Sequence, residues 1–358
     1  MFNIIVNEEN VQKHYEHVQK KCTDEIKKMK TVSFTKHQDD FSDFTDEELK
    51  SVSERFQKFI AWLEVDKHLE KIITSKPKEL LNIYNEIADK FSFKIVITND
   101  KGQRKYEDVF GTSGVNGKTI KDKIKKIFNY TWFRDEYAYQ FTKDLNVNIC
   151  PYCNREFTFT VISEKTEKNT CKKITRPEID HYFPQYKYPM FSISFYNLIP
   201  SGHICNSSIK GTELMSIEKY LHPYVDDDKS FKFYLDMKDD GVLSTEILLD
   251  ANHNDKVDKT IDFFKLREIY RYHNNIAEDI VDLYRRYTPQ RICDRLLDLK
   301  KLNIEYFERI GAEDILKILY RSYIVENPDS EMLGKLRDDL YSEIHDVYKK
   351  NMKECIKE

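Results

Sequence analysis

Apolar residues recur every three or four positions along most of the chain, which predicts helices. Thr45 and Glu48 have the spacing of a capping box, and the apolar positions that follow are Leu49, Val52, Phe56, Ile60 and Leu63. This stripe predicts an amphipathic helix that begins after Thr45 and buries one face. Residues 1–145 are therefore expected to be a mainly helical N-terminal region.

One stretch of that region, residues 93–110, has a different period. Phe93, Ile95 and Ile97 alternate with polar or smaller residues, and residues 99–102 (Asn-Asp-Lys-Gly) have the composition of a turn. Alternation followed by a turn is typical of two antiparallel strands. The sequence therefore predicts a small hairpin here.

The C-terminal region, residues 226–358, again has a helical pattern. Its apolar positions step by three and four over Ile269, Tyr272, Ile276, Ile280, Leu283 and Tyr287. This spacing predicts one long amphipathic helix over residues 261–287, which Pro289 ends. Further helices are predicted over residues 294–310, 312–325 and 330–350.

Composition limits the class of protein. The 358 residues are 40% hydrophobic and 13% aromatic, which is enough for a packed core and excludes a disordered chain. No apolar run approaches the ~18 residues that a membrane span needs. Glu8 and Glu9 lie where a signal peptide would be apolar. We therefore expect a cytoplasmic protein with no membrane partner.

The charge balance argues against binding nucleic acid by net charge alone. The net charge is −4, from 58 basic and 62 acidic residues, whereas proteins that bind by charge usually carry a basic surplus. Any contact with nucleic acid would have to come from local basic clusters or from a partner. The candidates are Lys118, Lys121 and Lys125 in the densest basic run, and Lys172, Lys173 and Arg176 further along. A solvated helix face is the alternative for the first run.

Four of the seven cysteines cluster in the middle of the chain: Cys150, Cys153, Cys171 and Cys205. The first two have the spacing of a zinc knuckle. A thioredoxin-like redox pair is the alternative, but it would need a helix after the pair, where the sequence predicts a strand. With Cys205 as third ligand, His203 is the nearest group for the fourth, and Cys171 is the reserve. Unrelated free thiols remain possible.

A group of polar residues lies close to these cysteines. Asp180 and His181 are adjacent, Pro184 comes three residues after His181, and Asn197, Asn206 and Lys210 follow. Taken singly, these residues have ordinary explanations. Asp180 is then a turn residue, His181 a core histidine whose hydrogen bonds are satisfied, and Asn206 a helix N-cap. Their order and close spacing favour a common site instead.

On these residues, the segment 150–211 resembles the zinc-bearing HNH endonucleases of the ββα-metal type. That family has a Cys pair, then Asp-His-x-x-Pro, Asn-Leu, Cys-Asn and Lys. The segment is similar in particular to bacterial anti-phage nucleases such as the Septu type. The resemblance implies an α+β fold: a predominantly α-helical chain with a central ββα-metal nuclease core, residues 146–225, and a zinc knuckle. One departure is Gly202, which stands where the family's second Cys pair begins.

The resemblance also implies a role for each polar residue. His181 would be the general base, and Asp180 and Asn206 would hold a catalytic Mg²⁺ or Mn²⁺. Asn197 would hold the loop that carries His181. Lys210 would pair with a phosphate oxygen. The structural zinc would be held by Cys150, Cys153, Cys205 and His203.

The function that the resemblance implies is a metal-dependent endonuclease that hydrolyses phosphodiester bonds, with duplex DNA as substrate, in bacterial anti-phage defence. A companion ATPase and a second copy of the chain are the expected partners. Two alternatives stay open. The chain would then be a nuclease-derived subunit that binds nucleic acid or a partner, or a toxin that cuts RNA.

Overall fold

The computed structural model describes residues 3–35, 45–65, 67–91, 94–98, 104–108, 118–163, 172–226, 230–237, 243–301 and 311–351. It is an α+β structure of helices and small antiparallel sheets. The N-terminal helices are α1 (Glu8–Met29), α2 (Asp46–Glu64), α3 (His68–Thr74), α4 (Pro77–Phe91), α5 (Lys118–Ile127) and α6 (Ala138–Leu145). A short helical turn, Tyr130–Trp132, and a π-helical turn, Phe133–Tyr137, lead into α6.

Helix α2 is the amphipathic helix that the capping box and apolar stripe after Thr45 predict. Thr45 and Glu48 form a complete capping box, in which each side chain accepts a hydrogen bond from the other's main-chain N–H. The predicted apolar stripe of Leu49, Val52, Phe56, Ile60 and Leu63 is buried. The N-cap satisfies main-chain donors at the start of the helix, and the stripe packs into the core.

The hairpin predicted over residues 93–110 is also confirmed. Strands β1 (Lys94–Thr98) and β2 (Arg104–Asp108) pair antiparallel, with Val96 opposite Tyr106. The predicted turn, residues 99–102, lies outside the described residues.

The central region carries short strands and one short helix. Strands β3 (Val161–Ile162) and β4 (Lys173–Thr175) pair antiparallel, as do β5 (Glu178–His181) and β6 (Leu198–Ser201). A π-helix, Ile204–Lys210, follows β6 and is called the site helix below. The strand expected over residues 155–161, directly after the Cys pair, is wrong: an isolated bridge joins Ile149 to Phe157, and β3 begins only at Val161.

The C-terminal region differs from its prediction in two ways. Strands β7 (Phe231–Met237) and β8 (Leu243–Leu249) form an antiparallel sheet where only helices are expected. The prediction of a single helix over residues 261–287 is wrong. The region holds α7 (Asp255–Phe263), α8 (Leu266–Arg271), α9 (Asn274–Arg286), α10 (Pro289–Lys300), α11 (Ala312–Leu319) and α12 (Gly334–Asn351).

Local backbone geometry explains the broken helix. Lys265 has a φ of 55°, a left-handed conformation that ends α7 and starts α8. His273 then lies outside helical geometry between α8 and α9. The apolar spacing persists across both breaks because each short helix still turns one face to the core, so periodicity alone does not reveal them. Pro289, expected as a stop, is instead the first residue of α10, where its missing N–H costs nothing.

Buried residues of all three regions belong to one hydrophobic core. Polar contacts also tie the central region to its neighbours. The Ser194 hydroxyl donates to the carbonyl of Ile72, and the Tyr270 hydroxyl donates to the carbonyl of Cys153 at 2.6 Å. Asn154 is bonded to residues near the start of α12: its Nδ2 donates to Pro328 O, and Leu333 N donates to Asn154 O. The Cys pair is therefore held by the C-terminal region.

Across the described parts of the chain, none of the helices combines the length and the apolar character that crossing a membrane requires.

Replacing Tyr270 by Phe tests this attachment. The Tyr270 ring is fully buried, so Tyr270→Phe keeps the packing but leaves the Cys153 carbonyl without this donor. We expect a loss of about 1–3 kcal/mol in the free energy of unfolding, measured by urea denaturation. Tyr272→Phe is the matched control, because Tyr272 is 88% exposed. Equal stability of the two variants would contradict the attachment.

Candidate functional site

Strands β5 and β6 and the site helix form a compact strand–strand–helix unit. The two strands pair with Asp180 opposite Ile199 and His181 opposite Leu198. Successive side chains of a strand point to opposite faces. Glu178 and Asp180 therefore share the face that the site helix covers, and His181 points to the other side.

The face of the site helix that meets β5 is polar. The N-cap residue His203 and the helix residues Asn206, Ser207 and Lys210 follow helical spacing and all bond to Glu178 or Asp180. The contact between strand and helix is therefore a network of hydrogen bonds and charges.

Asp180 and Lys210 form a buried ion pair at one end of this network. Lys210 Nζ lies 2.6 Å from Asp180 Oδ1, and the two side chains are 2% and 3% exposed. The other oxygen, Asp180 Oδ2, accepts a hydrogen bond from the Tyr152 hydroxyl at 2.5 Å. Lys210 Nζ also donates to the main-chain oxygen of His181 at 2.8 Å. Both oxygens of the carboxylate thus have partners within the protein.

Glu178 forms the other, more exposed end. Its Oε1 bonds to His203 Nδ1 at 2.7 Å, and its Oε2 accepts from Asn206 Nδ2 and Ser207 Oγ, each at 2.8 Å. The carboxylate raises the pKa of His203 through this hydrogen bond. Asn206 therefore lies beside Glu178 and does not bond to Asp180.

His181 is held at the end of β5 by acceptors and rings. Its Nε2 lies 2.9 Å from the carbonyl of Ser192, and Tyr130 contacts the ring edge-to-face at 4.4 Å. A carbonyl only accepts, so Nε2 carries the hydrogen and Nδ1 keeps its lone pair. Gln185 Nε2 lies 2.8 Å from His181 Nε2 and 3.2 Å from Nδ1. Burial lowers the pKa of His181 to about 4, so the imidazole is neutral at pH 7.

Asn197 clamps the segment that follows His181. Its Oδ1 accepts from Phe183 N at 2.7 Å, and its Nδ2 donates to the carbonyls of Phe183 and Phe191. Its own main-chain oxygen accepts from Tyr182 N. The fully buried amide therefore fixes the backbone immediately after His181.

Three thiols and one carboxylate meet beneath this unit. One ligand atom from each of Cys150, Cys153, Cys205 and Glu156 lies within 4.8 Å of the others, and all three thiols are buried. His203, expected as fourth ligand, is instead 68% exposed and bonded to Glu178. Cys171, the reserve, lies outside the described residues.

Gly202 explains how Glu156 reaches the thiols. A Cβ added at Gly202 would lie 2.4 Å from Glu156 Oε2 and 2.7 Å from Glu156 Cβ, which no real structure tolerates. The Glu156 side chain therefore fills the space that a side chain at residue 202 would need. Because the resemblance expects a cysteine at residue 202, Glu156 occupies the region of the missing fourth thiol.

The donor set fits a metal ion such as zinc. Glu156 Oε2 is buried without a hydrogen-bond partner, and a buried oxygen of this kind is costly unless something binds it. Hydrogen bonds with the thiols of Cys150 and Cys205 lower the pKa of Cys153, whereas burial raises that of Cys150. Three thiolates and a carboxylate would repel one another, and Zn²⁺ bound by all four removes that repulsion.

A Mg²⁺ ion shared by Asp180 and Asn206 does not fit the side chains as they stand. The ammonium group of Lys210 covers one oxygen of Asp180, and Tyr152 covers the other. Asn206 faces Glu178. Lys210, expected to pair with a phosphate oxygen, is 2% exposed and paired with Asp180 in this arrangement.

The basic candidates lie on two surfaces. Lys172 and Lys173 are exposed, and Lys173 Nζ and the Arg176 guanidinium lie 5.6 and 5.7 Å from the ring centre of Tyr139. The other three candidates, Lys118, Lys121 and Lys125, belong to α5, whose buried positions include Ile120 and Ile124. Whether either surface binds nucleic acid stays a prediction.

Sequence analysis does not identify Glu156 and Glu178 as site residues, although the sequence contains a signal for each. Glu156 follows Cys153 by the same three-residue step that separates Cys150 from Cys153. Glu178 precedes Asp180 by two residues, so the strand period alone puts both carboxylates on one face. Tyr152 gives no such signal, since its role depends on a contact with a distant strand.

Comparison with known proteins gives one partial match. Over 56 residues the chain is 39% identical to Protein ea31 of Escherichia phage lambda. The match covers 15% of this chain, and the chain spans 19% of the length of that relative. No family model matches the sequence, and no solved structure matches the chain.

Removing the carboxylate of Glu156 tests its place in the metal centre. We expect Glu156→Ala to weaken zinc binding at least about tenfold, because one of four ligands is lost. His203→Ala, the matched control, should keep the affinity, since His203 bonds to Glu178 instead. Zinc transfer to a chromophoric chelator measures both. Equal loss in the two variants would contradict the assignment.

Gly202→Ala gives an independent test of the same centre. Its added Cβ would displace the Glu156 side chain, so we expect less zinc per chain and a lower melting temperature. Gly311→Ala is the control, because its Cβ would meet Asp314 at an ordinary contact distance of 3.6 Å. Unchanged zinc content in Gly202→Ala would show that Glu156 is not required.

Proposed function

We infer that this protein is an endonuclease of the HNH type that hydrolyses phosphodiester bonds, with His181 as general base. The observation that carries this proposal is the strand–strand–helix unit with a neutral, oriented His181 at the end of β5. The motif order in the sequence supports the same reading.

The geometry of His181 suits a general base. The hydrogen bond from Nε2 to Ser192 fixes the tautomer and the ring plane, and it leaves the Nδ1 lone pair for a water proton. Among the described residues only Gln185 contacts Nδ1, at 3.2 Å, and the same amide nitrogen lies closer to Nε2, at 2.8 Å. A nucleophilic water can replace that weak contact. Asn197 supports the base by holding the next residues of the chain rigid.

The thiol cluster has a structural part in this proposal. Zinc bound by Cys150, Cys153, Cys205 and Glu156 would fasten the loop that carries Tyr152, and Tyr152 in turn holds Asp180. A catalytic Mg²⁺ or Mn²⁺ would stabilise charge on the phosphate. Its expected ligands Asp180 and Asn206 are bonded to Lys210 and Glu178 instead.

Duplex DNA is the proposed substrate, and anti-phage defence with a companion ATPase or a second copy of the chain is the proposed setting. These points rest on the resemblance. The exposed Lys172 and Lys173 and the half-buried Arg176 supply positive charge for a phosphate backbone. With a net charge of −4, binding by the free protein should be weak and salt-sensitive.

A second candidate function is a subunit that binds nucleic acid without cutting it. The saturation of Asp180 by Lys210 and Tyr152 favours this candidate, because it leaves no open carboxylate oxygen for a catalytic ion. The cleavage test below separates the two.

Cleavage of supercoiled plasmid in Mg²⁺ or Mn²⁺ tests the nuclease proposal. We expect His181→Ala to lower the nicking rate about 100-fold or more, because the general base is lost. Parallel assays with single-stranded DNA and RNA establish the preferred backbone.

His253→Ala is the matched control, since this histidine lies on a distant turn where its Nδ1 bonds to Asp250 O. Circular dichroism checks that both variants stay folded. Equal rates for the wild type and His181→Ala would remove His181 from the reaction. Binding without cleavage by any of the proteins would favour the second candidate.

A further inference from the structure

The buried ammonium group of Lys210 lies against two oxygen atoms. Its Nζ is 2.6 Å from Asp180 Oδ1 and 2.8 Å from the main-chain oxygen of His181. Carboxylate and carbonyl oxygens are the ligands that Mg²⁺ and Mn²⁺ prefer. The ammonium group therefore engages the oxygens that a hard cation at Asp180 would use.

We propose that Lys210 is an internal cation that competes with a divalent ion for Asp180, so that the ion binds this carboxylate only when Lys210 leaves it. The inference rests on the proposed function in one respect: nuclease chemistry is the reason to expect a divalent ion here. The competition itself concerns binding and is measurable without nucleic acid.

Electrostatic repulsion prevents Lys210 and a divalent ion from binding Asp180 at the same time. An ammonium group and a divalent ion a few ångströms apart repel each other strongly where water is excluded. The second oxygen of Asp180 is not open either, because the Tyr152 hydroxyl bonds to it. A buried carboxylate without any cation is also costly. Tyr152 is neutral and supplies no charge, so Asp180 keeps one cation, either Lys210 or the ion.

The position of Lys210 allows the exchange. It is the last residue of the site helix, and Gly211 follows with a φ of +50°. The helical bonding ends there, with Gly211 N bonded to Asn206 O. The ammonium group is carried on a flexible four-carbon stem. Lys210 can therefore withdraw from Asp180 by a rearrangement at the end of one short helix, while β5 stays paired with β6.

Removing the competitor tests the proposal. The variant is Lys210→Met, which keeps the length and apolar stem of the side chain and deletes the charge. Zinc-loaded wild type and variant are compared in melting temperature with and without added Mn²⁺. Bound Mn²⁺ is also counted by electron paramagnetic resonance. Nucleic acid is left out.

Two controls separate a specific site from a general effect. Lys335→Met deletes the partner of Asp339 in another poorly exposed ion pair, with Lys335 Nζ 3.1 Å from Asp339 Oδ2 and both side chains 11% exposed. Asp180→Asn combined with Lys210→Met removes both charges of the pair under test. Neither protein should gain stability from Mn²⁺.

We expect Lys210→Met to melt below the wild type without Mn²⁺, to regain stability when Mn²⁺ is added, and to bind Mn²⁺ about tenfold or more tightly than the wild type. No rescue, or rescue equal to that of Lys335→Met or of the double variant, would overturn the proposal. A failure of plasmid cleavage would leave this binding result standing, and a failure of Mn²⁺ rescue would leave the role of His181 standing.

Discussion

The buried ion pair between Asp180 and Lys210 joins the parts of the site. Asp180 belongs to β5, Lys210 ends the site helix, and Tyr152 reaches the same carboxylate from the loop between Cys150 and Cys153. Removing one partner of such a pair costs about 3–5 kcal/mol, because the other charge stays buried. The relative positions of strand, helix and thiol loop therefore depend on one carboxylate.

The contacts of Asp180 link two chemically different groups of residues, the thiol cluster and the oxygens around Asp180. Soft thiolates suit zinc, and the oxygens around Asp180 suit a hard cation. Tyr152 connects them, because it lies between Cys150 and Cys153 in the chain while its hydroxyl bonds to Asp180. Its ring stacks on Phe264 at 4.3 Å, which fixes its orientation. A metal ion bound by the thiols would therefore also restrain this ring and, through it, the carboxylate.

Sequence reasoning succeeds where the cause is local. The capping box and stripe of α2 and the alternation of β1 lie within short windows, and the structure confirms both. It fails where the cause is distant or conformational. The helix expected over residues 261–287 is interrupted at Lys265. The left-handed backbone conformation of Lys265 does not change the spacing of the apolar residues, so the sequence pattern does not reveal it. Glu156 joins the thiols only because Gly202, far along the chain, leaves room. Burial of Lys210 likewise depends on how β5 and the site helix pack.

The bonds of Asn154 also set an order of events during synthesis. Its side chain contacts Pro328 and Lys335, which lie 174 and 181 residues further along the chain. Contacts of such long sequence separation form late, after the intervening chain exists. On the ribosome, the loop beside the thiols therefore lacks these partners until residue 335 has emerged. Shorter nascent fragments therefore hold the thiol cluster without the contacts that join its loop to the C-terminal region.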